Sequence, residues 1–369
     1  MTEPEVLFET LPSTNEKSIG IATLNVEKSL NSLSLPMVDL LRPQLAAWEQ
    51  DDDIACVILQ GAGAKAFCAG GDVVQLYQSA CEQNDYAPTF FEREYRLDYQ
   101  IHTYKKPLIV WAHGIVMGGG LGLMAGASHR VVTEASRIAM PEITIGLYPD
   151  VGGTWFLNRT PGKTGLFLAL TGASINAADA LFTGLADRFI AHEKRPAVVD
   201  ALTATAWSAN AAHHFAQVSH VLREFEQQSA SLRPDDVVRG HYDQIQALCD
   251  GDDIDAVVAN ILAWRGEDKW LARAVKTLAA GCPTTIHLID QQFRRGKYLS
   301  LREAFQFELI LSINCTRYGN FREGVRALLI DKDMEPKFSP ATLREVEPAY
   351  IEAHLKAPWG DGPHPLADL

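Results

Sequence analysis

Two acidic residues stand beside turn-forming residues, where their type and spacing could support chemistry on a carbonyl group. Glu142 follows Pro141, and Asp150 lies eight residues further on, between Pro149 and Gly152. Neither acid belongs to a run of charged residues that would indicate an ordinary solvated surface. A carboxylate held at a turn can act as a general base, as a nucleophile or as an acceptor for a substrate hydroxyl.

Two glycine-rich turns each follow a predicted buried strand. Residues 67–72 (FCAGGD) come after a strand at 56–60, and residues 117–122 (MGGGLG) come after a strand at 108–111. Backbone N–H groups at a strand-to-helix turn lack partners and lie at the positive end of the helix dipole. Two such turns could direct their amides at one oxygen and form an oxyanion hole. For either turn alone, tight turning or close helix packing explains the glycines equally well.

The order of several motifs resembles the crotonase, or enoyl-CoA hydratase/isomerase, superfamily. The motifs that carry this resemblance are residues 67–72 (FCAGGD), 113–120 (HGIVMGGG) and 140–146 (MPEITIG). Residues 148–153 (YPDVGG) and 321–333 (FREGVRALLIDKD) are similar to the 3-hydroxyisobutyryl-CoA hydrolase branch. The resemblance covers about 6–340 and implies an α/β fold with a crotonase-like ββα spiral core and a long α-helical C-terminal extension.

The resemblance also implies roles for particular residues. Gly71 and Gly119 match the oxyanion-hole glycines, Glu142 matches a catalytic glutamate, and Asp150 matches the aspartate that the hydrolase branch pairs with it. Hydratases of the superfamily use two glutamates, of which the second matches Glu142 and the first lies on the helix after the glycine triplet. Gly122 occupies that position here and has no side chain to act as an acid or a base. Addition of water across a double bond is therefore disfavoured.

The function implied by the resemblance is hydrolysis of the thioester of a short 3-hydroxyacyl-CoA. The expected substrate is 3-hydroxyisobutyryl-CoA, which would be split into 3-hydroxyisobutyrate and CoA during valine breakdown. The alternatives are an enoyl-CoA hydratase or isomerase, and a non-catalytic protein that binds acyl-CoA. CoA is part of the substrate, so no metal and no other cofactor is expected.

Glu94 matches a substrate-contacting position of the hydrolase branch, in the helix that borders the acyl pocket. The alternative is a solvated helix face on which Glu94 pairs with Arg93 or Arg96, and the sequence does not choose between them. Two further residues have structural interpretations. Asp72 is expected to cap the helix that follows it, and His113 is expected to be a core histidine.

Leu30 and Asn31 match the place where members of the family hold CoA with backbone groups. The alternative is an ordinary turn before a helix that starts near Pro36, with Ser34 as the cap.

Composition limits the partners that the protein can have. The formal charge of −13 disfavours nucleic acid and anionic membranes as partners. The partner that the resemblance implies is an acyl-CoA, and the protein is expected to be a monomer or a homo-oligomer. The six cysteines show no metal-binding spacing and are expected to be buried thiols of a reducing compartment. Residues 1–9 contain three glutamates and no arginine, which predicts a cytoplasmic protein rather than an exported or imported one.

The chain is predicted to have two parts, a spiral core with the acyl-CoA site at 1–195 and an α-helical region at 196–369. Predicted strands cover 18–24, 56–60, 108–111, 130–133 and 137–139. Predicted helices cover 36–50, 72–80, 90–103, 121–127, 160–172, 176–184, 197–218, 254–263, 270–280, 284–292 and 301–314. The proline-rich tail after Pro336 is expected to be extended and to lie on the surface.

Overall fold

The computed structural model describes residues 3–369. Among these residues there are nine β-strands: β1 Val6–Pro12, β2 Ser18–Leu24, β3 Ile54–Gly61, β4 Ala66–Cys68, β5 Leu108–Ala112, β6 Ile115–Met117, β7 His129–Val132, β8 Arg137–Ala139 and β9 Arg188–Phe189. The first eight α-helices are α1 Leu35–Gln50, α2 Val73–Glu82, α3 Tyr86–His102, α4 Gly119–Ala125, α5 Gly153–Phe156, α6 Thr164–Thr171, α7 Ala177–Thr183 and α8 Arg195–Thr203. The other eight are α9 His214–Ser229, α10 Tyr242–Leu248, α11 Ile254–Ala263, α12 Lys269–Ala280, α13 Pro283–Gly296, α14 Leu301–Arg317, α15 Asn320–Val325 and α16 Pro348–His354.

A strand–strand–helix order recurs along the first half of the chain. β3 and β4 precede α2, β5 and β6 precede α4, and β7 and β8 precede a short 3-10 helix at Glu142–Ile145. The first strand of each pair lies in a six-stranded sheet of order β1-β2-β3-β5-β7-β9, and the second lies in a three-stranded sheet of order β4-β6-β8. All pairings recorded in the larger sheet are parallel except β1 with β2. The predicted α/β core with a ββα order is confirmed.

The first of two compact units consists of residues up to 71, 97–138 and 175–240. One cluster of its core lies on one face of the six-stranded sheet, and alternate residues on the opposite face, such as Val57 and Val110, are buried as well. Buried residues of the sheet such as Trp111 pack with residues of α8 and α9 such as Leu222. Because these apolar side chains are removed from water, the sheet and the two helices stabilise each other.

The second compact unit consists of residues 72–96, 139–174 and 241–369, and it is mainly helical. Its longest buried helix, α14, begins with a capping box in which Ser300 and Glu303 satisfy each other's backbone N–H groups. The interior face of α14 carries polar as well as apolar residues. Both Glu308 and Ser312 are completely buried, so they must find hydrogen-bond partners inside the unit.

Within residues 3–369 no strand follows β9, and the rest of the chain is helical or irregular. The predicted division between 195 and 196 follows this change in secondary structure. As a domain boundary it stays a prediction, since each compact unit combines three separate stretches of the chain. None of the helices in residues 3–369 is both long enough and apolar enough to cross a membrane.

The single helix predicted at 197–218 is wrong. The structure has two helices, α8 and α9, separated by ten residues. The Asn15 side chain accepts a hydrogen bond from Trp207 N–H and donates one to the Trp207 carbonyl, which holds this segment in a non-helical path. Asn210 then accepts from the Ala212 N–H and starts a new turn. The contacts with Asn15 are distant in sequence, so helical spacing could not reveal them.

The prediction that the proline-rich tail is extended and lies on the surface is also wrong. It contains α16, and Ile351, His354 and Leu366 are buried. Asn314 of α14 donates to the carbonyls of His354 and Lys356, which anchors the end of α16.

Four strands were not predicted, namely β1, which has seven residues, and the shorter strands β4, β6 and β9. Three of them have two or three residues, which is too short to show an alternating pattern. The cysteines are free and five are buried as expected, but Cys81 is exposed.

Candidate active site

The two glycine turns lie side by side in the first unit. β4 pairs in parallel with β6, so the turns that follow these strands leave the same edge of the three-stranded sheet. An ideal Cβ on Gly70 would lie 3.2 Å from the Met117 carbonyl oxygen and 3.8 Å from the Gly119 nitrogen. The structure therefore brings the turn with Gly71 next to the turn with Gly119.

Glycine is needed around this edge for two different reasons. Gly118 has a φ of 48° and a ψ of −124°, a conformation that lets β6 pass directly into α4 and that side chains disfavour. Gly120 is a packing glycine, because a Cβ there would collide with the carbonyl oxygen of Cys68. The packing explanation therefore applies to Gly120 in the triplet, while Gly119 is the first residue of α4.

The amides of Gly71 and Gly119 are available as donors. Gly119 N–H belongs to the first turn of α4, where no carbonyl of the helix can accept it. Neither this amide nor that of Gly71 donates a hydrogen bond to another of residues 3–369. Two free N–H groups on adjacent turns can stabilise negative charge that develops on an oxygen.

Leu30 and Asn31 lie in the same unit, and both adopt the left-handed conformation, with φ of 56° and 55°. The Asn31 side chain is buried and accepts from Val26 N–H. It donates at 3.0 Å to the carbonyls of both Ala62 and Ala66. Its side-chain amide is thus fully engaged in holding the loop. The backbone N–H groups of Leu30 and Asn31 also donate within the loop, to the carbonyls of Glu27 and Val26, so a contact of this turn with CoA stays a prediction. The alternative role for Ser34 is confirmed, since Ser34 caps α1.

Glu142 and Asp150 belong to the second unit, and both are almost completely buried, with 5% and 4% of their surface exposed. Glu142 is the first residue of the 3-10 helix, and its Oε2 has no hydrogen-bond partner among the described residues. Burial, together with the nearby charge of Asp150, raises the pKa of Glu142 well above its usual range. A buried carboxyl group with one oxygen left unpaired is costly, which is typical of a functional site rather than of packing.

Asp150 is held by a buried tyrosine. Tyr95 of α3 donates to Asp150 Oδ2 at 2.6 Å. Burial raises the pKa of Asp150 to about 6, although the hydrogen bond from Tyr95 lowers it. Asp150 therefore changes its charge close to neutral pH, and its Oδ2 has a fixed partner.

Glu308 fixes the loop that carries Asp150. Its Oε2 accepts from the Gly152 N–H at 2.7 Å, and its Oε1 accepts from the Thr154 N–H at 2.8 Å. Gln292 of α13 donates to the Pro149 carbonyl and, at 2.9 Å, to the Thr154 hydroxyl. Val151 has a φ of 52°, an unusual conformation for a β-branched residue that these contacts maintain. Burial raises the pKa of Glu308 to about 8, although the two N–H donors lower it.

Glu94 does not lie on a solvated helix face. It is 2% exposed, and the neighbouring Arg96 pairs instead with Glu92 and Asp368. The negative charge of Glu94 contributes to raising the pKa of Tyr95, so Glu94 lies near the carboxylate cluster. A solvated helix face is therefore wrong for Glu94, whereas its pairing with Arg93 and its substrate-contacting role stay predictions.

Three other residues behave as the sequence indicated. Asp72 accepts from Gln75 N–H and caps α2. His113 is buried, with Nε2 at 2.9 Å from the Gly63 carbonyl oxygen, and burial lowers its pKa to about 4. Gly122 is buried in α4, and its N–H donates to the Gly118 carbonyl at 3.1 Å. No acidic side chain therefore stands at the position where hydratases carry their first glutamate.

Sequence reasoning missed Tyr95, Ser312 and Glu308. Ser312 and Glu308 lie four residues apart on α14, more than 150 residues from the loop that they contact. A usable signal was present, because Glu308 and Ser312 interrupt an otherwise apolar face of a predicted helix.

The comparison with known proteins agrees with this fold and site. A family model described as enoyl-CoA hydratase/isomerase matches residues 19–355. A structure named as a carnitinyl-CoA dehydratase from Mycobacterium thermoresistibile has a TM-score of 0.84 and 35% identity, and the match covers 96% of this chain and 97% of that one. An enoyl-CoA hydratase from Rhodobacter sphaeroides 2.4.1 has a TM-score of 0.81 and 31% identity, with 95% and 97% covered. These matches define a protein of the crotonase fold.

The chain belongs to the enoyl-CoA hydratase/isomerase family. Among curated relatives, the mitochondrial 3-hydroxyisobutyryl-CoA hydrolase of Xenopus tropicalis is 38% identical over 337 residues, which is 91% of this chain and 86% of the relative. The predicted resemblance to the hydrolase branch is confirmed.

Proposed function

We propose that this protein hydrolyses the thioester of 3-hydroxyisobutyryl-CoA to give 3-hydroxyisobutyrate and CoA. The observation that carries this proposal is the pattern of carboxylates. Glu142 and Asp150 are buried together in the second unit, whereas Gly122 stands where hydratases have a glutamate. Identity to curated 3-hydroxyisobutyryl-CoA hydrolases supports the same substrate, and with it a role in valine breakdown.

In the proposed mechanism the thioester carbonyl oxygen accepts hydrogen bonds from the Gly71 and Gly119 N–H groups. These donors stabilise the negative charge that the oxygen gains when the carbonyl carbon is attacked. Joint action of these amides and Glu142 on one thioester is an implication of the family resemblance. Leu30 and Asn31 would hold CoA through backbone groups, and Glu94 would contact the acyl portion.

Glu142 promotes the attack in one of two ways. Its carboxylate can attack the carbonyl carbon and expel the CoA thiolate, after which water hydrolyses the mixed anhydride. It can instead remove a proton from water as the water attacks. Both routes require ionised Glu142, and since burial raises its pKa, activity should increase with pH. Asp150 would accept a hydrogen bond from the 3-hydroxyl group of the substrate or orient the water.

The second candidate function is enoyl-CoA hydration, since the two similar structures are named as a dehydratase and a hydratase. The missing acid at Gly122 counts against it. A non-catalytic acyl-CoA-binding protein is disfavoured because binding alone does not require the costly burial of two carboxyl groups.

One assay separates the three functions. The purified chain of residues 1–369 is given 3-hydroxyisobutyryl-CoA, and released thiol is measured, while crotonyl-CoA hydration is followed in parallel. We expect thiol release and little hydration. Hydration without thiol release would favour the hydratase, and binding without either reaction would favour the non-catalytic protein.

Three further parts of the proposal need their own measurements. The mechanism uses no metal or redox cofactor, so activity should survive dialysis against a chelator. We also propose a cytoplasmic location, although the curated relatives are named as mitochondrial, and cell fractionation would decide between them. Light scattering would establish whether the protein is a monomer or a homo-oligomer.

A further inference from the structure

Three buried hydroxyl groups connect Asp150 to a backbone carbonyl through four consecutive contacts. Tyr95 Oη lies 2.6 Å from Asp150 Oδ2 and 2.6 Å from Ser312 Oγ. Tyr148 Oη lies 2.9 Å from Ser312 Oγ and 2.8 Å from the Glu308 carbonyl oxygen. All of these side chains are within the second unit and have little or no exposed surface.

The number of protons in this hydroxyl chain depends on the charge of Asp150. Each hydrogen bond needs one proton, and the hydroxyls of Tyr95, Ser312 and Tyr148 supply three for four contacts. With ionised Asp150, Tyr95 donates to the carboxylate and one of the remaining contacts lacks a proton. With protonated Asp150, the carboxyl group donates to Tyr95. Each hydroxyl then donates to the next, and Tyr148 donates to the carbonyl.

We infer that Tyr95 is a positioning residue for Asp150, and that Ser312 and Tyr148 adapt the hydroxyl chain to either charge state of that carboxyl group. Tyr95 occupies Oδ2, whereas no other side chain of residues 3–369 donates to Oδ1. Oδ1 is thus the oxygen left for the substrate hydroxyl or for water. This inference rests on the proposed function, because it assigns the substrate-facing oxygen of Asp150.

The groups that face Asp150 come from every element around it. They are Tyr95 on α3, Glu142 on the 3-10 helix, Tyr148 on the same loop, and Glu308 and Cys315 on α14. None of these groups is a cation. The ionised form of Asp150 therefore depends on hydrogen-bond donors, which are the Tyr95 hydroxyl and the backbone N–H of Asp150 itself.

Removal of different hydroxyls should shift the titration of Asp150 in opposite directions. Tyr95→Phe leaves a buried carboxylate without its donor, which destabilises the ionised form more than the neutral one, so the pKa of Asp150 should rise. When Asp150 is neutral, every contact of the hydroxyl chain holds a proton, so Ser312→Ala removes two hydrogen bonds. When Asp150 is ionised, one contact already lacks a proton, so Ser312→Ala removes only one hydrogen bond. The pKa of Asp150 should then fall, and Tyr148→Phe should lower it in the same way.

The experiment measures the acid limb of the kcat/KM profile for thiol release, which contains the titrations of both Glu142 and Asp150, and follows the step that coincides with the NMR titration of Asp150. We expect Tyr95→Phe to move this limb to higher pH by about one pH unit, equivalent to about tenfold in the ionisation constant. Ser312→Ala and Tyr148→Phe should move it to lower pH by less than that. Tyr104→Phe is the matched control. Tyr104 is also a buried tyrosine, and it donates to the backbone carbonyl of Leu45, but it is not part of the hydroxyl chain that leads to Asp150.

A purely structural role for these hydroxyls would lower activity without moving the limb. No shift, or shifts of the same sign in Tyr95→Phe and Ser312→Ala, would overturn the inference. Titration of the carbon-13-labelled aspartate carboxyl groups by NMR, with Asp150 assigned through Asp150→Asn, reports the same shifts without turnover. If wild type fails to hydrolyse the substrate but the variants shift the NMR titration of Asp150 as expected, the proposed function is wrong. The inferred role of the hydroxyl chain in holding Asp150 is then still supported.

Discussion

The glycine turns of the first unit and the carboxylate cluster of the second unit offer opposite kinds of chemical group. The turns present N–H groups of Gly71 and Gly119, which are backbone donors and do not titrate. The cluster presents buried acids, Glu142 and Asp150, whose pKa values are raised by burial. The pH dependence of activity should therefore come from the titratable groups of the second unit. The contribution of the first unit to activity should change only when the backbone conformation of its turns is altered.

The largest expected effect is that of Glu142→Gln, which keeps the volume of the side chain but removes the nucleophile and base. Turnover should fall by at least about 10²-fold, the lower end for loss of a general base, while acyl-CoA binding is retained. Glu224→Gln is the control, because Glu224 is an exposed residue that pairs with the exposed His220. Hydrolysis of the thioester by Glu142→Gln at a near-normal rate would contradict the catalytic role assigned to the acids of the second unit.

Gly119→Val tests the opposite region. A β-branched side chain at the first position of α4 would crowd the carbonyl, and activity should fall by about 10²-fold, as for the loss of one oxyanion donor. The limbs of the pH profile should not move. Circular dichroism and thermal melting of Gly119→Val should remain close to wild type.

Gly120→Ala supplies the contrast to Gly119→Val. Its Cβ would meet the Cys68 carbonyl, so a lower melting temperature is expected in this variant. If Gly119→Val unfolds like Gly120→Ala, Gly119 is a packing residue and the assigned donor role is unsupported.

The smallest expected effect concerns stability. The pKa of Glu308 is raised to about 8 in the folded state, so the folded protein binds more protons than the unfolded chain between about pH 4.5 and 8. Its contribution is present below that range and is lost as the pH rises through 8. Glu308→Gln cannot ionise, but it offers only one acceptor to the two N–H groups of Gly152 and Thr154.

Thermal melting at pH 6 and pH 9 checks this expectation. Glu308→Gln should melt below wild type at pH 6, with a loss of roughly 1–3 kcal/mol, and the difference should narrow at pH 9. A constant difference at both values would show that Glu308 does not titrate in this range.

The two regions also differ in how far the sequence predicts them. Glycine turns depend on local backbone conformation, so the order of residue types is enough to identify residues 67–72 and 117–122 as turns that follow strands. Their pairing follows from β4 and β6, although these strands are too short to predict.

The carboxylate cluster depends on contacts between residues far apart in the chain. Glu142 and Asp150 stand out beside prolines and glycines, but Tyr95 and Ser312 come from helices 55 and more than 150 residues away from Asp150. Their polar side chains look like ordinary helix residues until the fold buries them. The same reason explains why a solvated helix face was considered for Glu94 and why the tail after Pro336 was predicted to lie on the surface. Burial at both places is set by tertiary packing.

The claim that the buried acids recognise a hydroxylated thioester is tested most directly by Asp150→Ala. The measurement is kcat/KM for 3-hydroxyisobutyryl-CoA and for isobutyryl-CoA, on wild type and on the variant. A buried acceptor left unpaired costs roughly 1–3 kcal/mol, so wild type should prefer the hydroxylated substrate by about tenfold or more. The preference should largely disappear in Asp150→Ala. A wild type without this preference, or a variant that keeps it, would contradict the role of Asp150 and the proposed substrate.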